Sequence, residues 1–329
     1  MIAIEVQDLR KTYKDAVEAV RGISFQVNAG EVFGLLGPNG AGKTSTVRIL
    51  TTMSPASGGT VRIMGHDVAE SPQEVRRTIG YVAQGSGVDQ LATARENLQL
   101  QGRLFHLPKA EIMKRSQQLL ELFGLEEVAD RAAKTYSGGM KRRLDVALGL
   151  VHSPKILFLD EPTTGLDPAS RITLWREMKR LVKEEGLTLL MTTHYLEEAD
   201  QMADRLAIID RGEIVGYGTP DELKSKVQGG VISVQLTGAN SALDRAQELL
   251  SGLEGISHPI VEGNMIHVQN ARGASAVPTI VSALEAEGLG LQQVALNRPS
   301  LDEVYLSLTG RSFGQADTTA TTSSAEDAE

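Results

Sequence analysis

Gly37-Pro38-Asn39-Gly40-Ala41-Gly42-Lys43-Thr44 is the stretch on which the reading of this chain turns. It follows the apolar run Val32-Phe33-Gly34-Leu35-Leu36 and precedes Ser45 to Leu50, whose residues suit a helix. The spacing is that of a phosphate-binding loop, G-x-x-x-x-G-K-[ST], set between strand and helix. Glycines let consecutive backbone N–H groups wrap phosphate oxygens without Cβ clashes, and the helix start adds partial positive charge. Lys43 is expected to reach the β- and γ-phosphates, and the Thr44 hydroxyl to ligate Mg²⁺. A chance glycine turn would match the letters without the flanking strand and helix. With both present, this stretch and Ser45 read as a nucleotide site.

Phosphate loops serve kinases, GTPases and ATPases alike. Ile156-Leu157-Phe158-Leu159-Asp160-Glu161, an apolar strand ending in two acids, separates them. On its own such a strand is commonly capped by solvated acids. Beside a phosphate loop, Asp160 is placed to hold Mg²⁺ through water, and Glu161, one residue further out, to orient and polarise the attacking water. Tyr136-Ser137-Gly138-Gly139-Met140 then opens a helix that runs to His152. Ser137 is a good N-cap, and Gly138 and Gly139 leave backbone N–H groups bare for an anion. A second phosphate-binding helix start, away from the first loop, fits two copies meeting head to tail. The Ser137 segment of one would close over the nucleotide held by the other.

The wider chain bounds these readings. It has 329 residues, no cysteine, 33 Lys+Arg against 42 Asp+Glu, a net charge of −9, and 41% hydrophobic residues. This composition is globular and allows about two domains. It excludes disulfides, a Cys-based zinc site and a cysteine nucleophile. The acidic balance argues against nucleic acid as partner. The basic run Lys141-Arg142-Arg143 is expected on a solvated helix face. No apolar stretch is long enough to span a membrane, and Met1-Ile2-Ala3-Ile4-Glu5 lacks the marks of a signal peptide. A cytoplasmic chain is expected, with any membrane-spanning part supplied by a partner.

Residues 1–225 read as an α/β domain, with further strands over Ile2 to Val6, Ile23 to Val27, Leu187 to Met191 and Leu206 to Ile209. Asp210-Arg211-Gly212-Glu213 reads as a hairpin turn. The helices expected over Glu96 to Phe105, Lys109 to Phe123 and Gly139 to His152 form a helical subdomain at about 88–152. Residues 226–311 read as a small α+β domain of strand, helix, two strands, helix, strand: Val231 to Leu236, Ser241 to Leu253, Ile256 to Val261, Met265 to Val268, Ser275 to Glu287 and Leu291 to Leu296. That βαββαβ order is ferredoxin-like. Residues 312–329 carry four acids, Asp317, Glu326, Asp327 and Glu329, and no base, and are expected to be a disordered tail.

Together, Gly37–Thr44, Gln84, Tyr136–Met140, Asp160-Glu161, Gly165-Leu166-Asp167 and His194 resemble the nucleotide-binding subunit of ABC transporters. The run from Tyr136 to Asp145, with Tyr136 and Met140 in place of the more usual Leu and Gln, resembles the daunorubicin-type multidrug resistance branch. So does Pro299 to Gly310. The resemblance implies a P-loop ABC ATPase fold and further roles. Tyr13 would stack on adenine, and Gln84 would touch Mg²⁺ or water and link the site to a permease. Asp167 would communicate across the dimer, and His194 would hydrogen-bond the γ-phosphate. It implies ATP as substrate, Mg²⁺ as cofactor, a separate transmembrane permease, and a place on the cytoplasmic face of the membrane. The function implied is ATP-driven export of a drug-like or lipid substrate. The rival is a soluble ABC ATPase acting on DNA or ribosomes, which would call for coiled-coil arms or a second cassette; neither is evident in the sequence.

Overall fold

The structure is a computed structural model and describes residues 1–14, 17–226, 230–237, 240–253, 255–270, 273–297 and 299–314. Residues 315–329 of the expected disordered tail lie outside the described residues. The chain divides into two compact units, Met1–Pro220 (with Phe313 onward) and Asp221–Ser312.

The first unit starts with strands β1 (Ile2–Thr12), β2 (Glu18–Asn28) and β3 (Val32–Leu36), followed by helix α1 (Lys43–Leu50). Next come β4 (Gly58–Ile63), β5 (His66–Asp67), α2 (Pro72–Thr78) and β6 (Ile79–Val82). Helices α3 (Ala94–Leu104), α4 (Lys109–Leu122) and α5 (Gly138–Leu150) intervene before β7 (Ile156–Asp160). The unit closes with α6 (Pro168–Glu185), β8 (Thr188–Thr193), α7 (Leu196–Met202), β9 (Arg205–Asp210) and β10 (Glu213–Gly218).

Two sheets result. One is antiparallel, in the order β2-β1-β4-β5; the other has six strands in the order β10-β9-β3-β8-β7-β6. The four pairings along β9-β3-β8-β7-β6 run parallel, and β10 returns antiparallel to β9. Every residue of β3, β7 and β8 is buried, as continuous apolar runs in a parallel sheet demand. One apolar core joins the two sheets through α1, with Ile4, Val6, Phe25, Phe33, Val47, Ile49 and Phe158 among its members. Phe25 and Phe33 stack with ring centroids 5.3 Å apart. The β9–β10 hairpin turns on Arg211 and Gly212, both at positive φ, the conformation a two-residue hairpin needs.

Within the six-stranded sheet, β3, β8, β7 and β6 send their carboxyl ends toward Lys43, His194, Glu161 and Gln84, and these four strands are consecutive neighbours. Crevices outside the carboxyl ends of parallel strands are where α/β folds bind ligands. The sheet therefore collects residues far apart in sequence along one edge.

The second unit holds α8 (Pro220–Lys226), β11 (Gly230–Leu236), α9 (Asn240–Ser251), β12 (Ile256–Glu262), β13 (Met265–Asn270), α10 (Val277–Ala286), β14 (Leu291–Asn297) and α11 (Leu301–Thr309). Its antiparallel sheet has the order β12-β13-β11-β14, the interleaved arrangement of a ferredoxin-like βαββαβ fold. Ile232, Val234, Leu243, Leu250, Ile266, Ile280 and Leu284 form a separate core. The helix expected from Ser275 splits into a 3-10 turn over Gly273–Ala276 and α10, whose second residue is a proline. Among the described residues, no helix is long and apolar enough to cross a membrane.

Candidate functional site

Gly42, at φ 106, is the N-cap of α1 and offers no side chain to the first-turn N–H groups. A Cβ on Gly42 would lie 2.3 Å from the Ala19 carbonyl oxygen, and one on Gly37 2.3 Å from that of Ile209. These two glycines are thus required by the fold itself, besides any approach of phosphate. Gly212 N–H donates to Ala41 O at 3.0 Å, so the β9–β10 turn braces the loop. Lys43 is 4% exposed; its Nζ donates to the Gly37 carbonyl at 2.7 Å and to that of Pro38 at 3.0 Å. The same Nζ lies 3.7 Å from Glu161 Oε1.

Glu161 follows β7 in a left-handed backbone conformation, φ 45, unusual for a residue with a side chain. Gln84 Nε2 donates to its Oε2 at 3.0 Å, and the Thr164 hydroxyl to the same oxygen at 3.3 Å. His194 Nδ1 stands 3.3 Å from Oε1, in contact but without hydrogen-bond alignment. Burial pushes the Glu161 carboxyl up, but the adjoining His194 and the Lys43 charge outweigh it and hold the group below its ordinary value. The residue is an ionised carboxylate ringed by donors.

Asp160 is 1% exposed and accepts from the Thr44 hydroxyl at 3.2 Å and the Thr192 hydroxyl at 2.6 Å. Thr192 also accepts from Glu161 N–H at 2.9 Å, and so ties β8 to the end of β7. Nothing in the motif letters singles out Thr192, although its place two residues before His194 puts it at the strand end. Thr44 and Asp160 present hard oxygen donors of the kind Mg²⁺ takes in small number, the rest coming from phosphate and water. Among the described residues, no group of three or more His, Cys, Asp or Glu side chains could hold a metal ion. The donor set fits Mg²⁺. Gln84, expected to touch Mg²⁺ or water, has its side-chain amide on Glu161.

Tyr13 lies beside the start of α1. Its hydroxyl is 3.2 Å from Ser45 Oγ, the residue is 40% exposed, and Lys11 Nζ stands 4.9 Å above the ring centre.

Ser137 and Asp167 belong to a second group. Ser137 caps α5, its Oγ accepting from Met140 N–H at 3.3 Å. A Cβ on Gly139 would come within 2.5 Å of Ser170 Oγ, whereas one on Gly138 would meet nothing within 4 Å. Asp167 is the N-cap of α6, accepting from Ser170 N–H at 3.0 Å and its hydroxyl at 2.6 Å; these bonds lower its pKa. Among the described residues, no hydrogen bond or ion pair links Ser137, Gly138, Gly139 or Asp167 to the Lys43 loop.

The expectation of a solvated basic face at Lys141-Arg142-Arg143 is corrected for its last two members. Arg143 Nη1 donates to Phe123 O at 2.7 Å. Arg142 is 7% exposed, and its guanidinium reaches four backbone carbonyls around the site. The available signal was helical spacing: Arg142 shares a face of α5 with Asp145, Val146 and Gly149, all buried.

Loops from neighbouring parallel strands converging on a phosphate loop and an acid-tipped strand define a P-loop nucleoside triphosphatase. Comparison narrows the class. The ABC transporter family matches residues 20–164. The daunorubicin/doxorubicin resistance ATP-binding protein DrrA of Streptomyces peucetius is 43% identical over 99% of this chain and 97% of its own length. A doxorubicin resistance ATP-binding protein of Mycobacterium tuberculosis is 41% identical over 94% of each chain. A dimeric ATP-binding cassette solved with ADP and Pi matches with a TM-score of 0.60 and 26% identity, over 66% of this chain and 98% of that one. The chain belongs to the ATP-binding proteins of ABC transporters, in the group that includes the daunorubicin and doxorubicin resistance proteins, and it is an ABC-type ATPase.

Proposed function

We propose that this chain binds and hydrolyses Mg·ATP at the Lys43–Glu161 site and thereby powers export of a drug-like or lipid substrate through a separate membrane permease. One observation carries the reading: Lys43 at the start of α1, and Gln84 and His194 from two loops, converge on the ionised Glu161 carboxylate. The daunorubicin and doxorubicin resistance relatives support a drug-like substrate.

In this reading the residues 37–44 wrap the phosphates and Lys43 turns from the loop carbonyls to the β- and γ-phosphates. Tyr13 gives the adenine a face to stack on. Glu161 accepts a proton from the attacking water, and His194 bonds the γ-phosphate. Thr44 and Asp160, with Gln84 close by, would hold Mg²⁺, which neutralises charge developing on the phosphate oxygens. Gly138 supports a head-to-tail pair: among the described residues nothing lies within 4 Å of where its Cβ would be, so its bare backbone could meet nucleotide held by a second copy. Asp167 would then face the partner across the seam.

ATP drives closure only to the extent that it binds the closed pair better than the open one. The closure would act on a permease docked near Gln84, with the chain peripheral to the cytoplasmic face of the membrane. Residues 1–225 would form the working cassette and residues 226–311 an accessory domain. Replacing Glu161 by Gln keeps shape and removes the base. ATP binding should persist while turnover falls on the order of 100-fold or more. Undiminished hydrolysis by Glu161→Gln would refute the assignment.

A further inference from the structure

Arg142 and Asp145 lie one turn apart on the buried face of α5, 7% and 6% exposed. The Arg142 guanidinium donates to Ala83 O at 2.7 Å, Pro162 O at 2.7 Å, Asp160 O at 3.1 Å and Glu161 O at 3.4 Å. Asp145 Oδ1 accepts from Gly87 N–H at 2.8 Å and from the Ser86 hydroxyl at 3.1 Å. The pair therefore grips the Gln84 loop on both sides of Gln84, and Arg142 grips the Glu161 backbone on both sides of Glu161.

Two features make this more than packing. Glu161 has a left-handed backbone, which costs a non-glycine residue about 1–2 kcal/mol and persists only when its surroundings hold it. Three of the four carbonyls on Arg142 belong to residues 160–162, the peptides that set that conformation. Gln84 and Glu161 are also joined directly, side chain to side chain, at 3.0 Å. One guanidinium thus fixes the backbones at both ends of that bond. A planar fork can gather several carbonyls at once, and a lysine ammonium in the same place cannot. Burial disfavours both charges, pushing the Arg142 guanidinium down and the Asp145 carboxyl up, and each is relieved by the other.

We propose that Arg142, with Asp145, is a positioning pair for hydrolysis: it locks the Gln84 loop, the Glu161 backbone and the Ser137 helix into one body. Displacing the Gln84 loop or α5 then moves the Glu161 carboxylate. The inference rests on the reading of Glu161 as the base.

The test is steady-state hydrolysis of Mg·ATP by the full chain, with equilibrium ATP binding and thermal unfolding measured in parallel. Arg142→Lys should lower kcat about 10- to 100-fold, the cost of a misplaced catalytic group, while KM and ATP affinity stay within about twofold. Asp145→Asn, isosteric and still able to accept from Gly87, should lower kcat at least about threefold with the same preserved affinity. Arg143→Ala, which loses a single carbonyl contact outside the site, should melt earlier with kcat unchanged. Wild-type kcat in folded Arg142→Lys or Asp145→Asn overturns the proposal, as does an equal loss of kcat and ATP affinity. Should Arg142→Lys fail to fold, Asp145→Asn decides by the same two readouts. Glu161→Gln separates the layers: if it still turns over, the base assignment falls. If it is inactive while both pair variants run at the wild-type rate, only the positioning role falls.

Discussion

The Glu161 carboxylate is held 3.7 Å from Lys43 Nζ and 3.3 Å from His194 Nδ1, with Gln84 and Thr164 donating to its other oxygen. Its pKa in the folded chain lies below the ordinary 4.5, so the unfolded chain takes up this proton first as pH falls. The stabilisation from ionised Glu161 is complete above pH 4.5 and is lost as pH drops through the lower folded value. Glu161→Gln has no such titration. In urea unfolding, the stability of the wild type relative to Glu161→Gln should decline as pH falls from about 4.5 toward about 2. A difference independent of pH across that range would contradict the electrostatic account of the site. Lys43 shares the arrangement: its ammonium is satisfied by two loop carbonyls and the carboxylate, and phosphate oxygens would offer it the same charge and better geometry.

Helix α5 shows how one element serves two purposes. Its buried face carries Arg142 and Asp145, and its start carries Ser137, Gly138 and Gly139. Gly139 is required by the approach of Ser170, but among the described residues nothing requires a glycine at 138. Gly138→Ala should therefore leave the unfolding free energy within about 0.5 kcal/mol, since alanine favours helix and meets no neighbour. If the bare backbone there meets a second copy's nucleotide, the same change lowers ATP turnover at least about tenfold. A folded Gly138→Ala variant with full turnover would contradict the head-to-tail reading. Much of this element level was legible in the sequence. The apolar runs of β3, β7 and β8 and the helices α3 to α5 are set by burial and periodicity, and the structure moves their ends by only a few residues. Two short strands, β4 and β6, were not legible because four to six residues beside glycines carry little period. The long helix α6 is marked in the sequence by its Asp167-Pro168 start and Gly186 stop, but the residues between them carry no motif that draws the eye. The residues of the phosphate loop and the acid-tipped strand declare themselves by spacing. Thr192 and Arg142 do not, because their roles depend on which strands become neighbours and which helix face is buried.

At the scale of the whole molecule, the six-stranded sheet acts as a collector. It takes Lys43, Gln84, Glu161 and His194 from loops spread over about half of the chain and lines them along one edge. The second unit has its own sheet and core and contributes none of these residues. Four of the nine net negative charges fall after residue 311, so the acidic balance is weaker over the rest of the chain than the total suggests. No helix among the described residues can cross a membrane, and an ATPase of this family acts on transport only through a chain that does. What such an ATPase passes on is motion, and the account places that motion in the closing of two copies around ATP. The most direct measurement is sedimentation of the Glu161→Gln chain with saturating Mg·ATP and without nucleotide. The account predicts a dimer with ATP that dissociates when the nucleotide is removed; identical sedimentation in both conditions would contradict it.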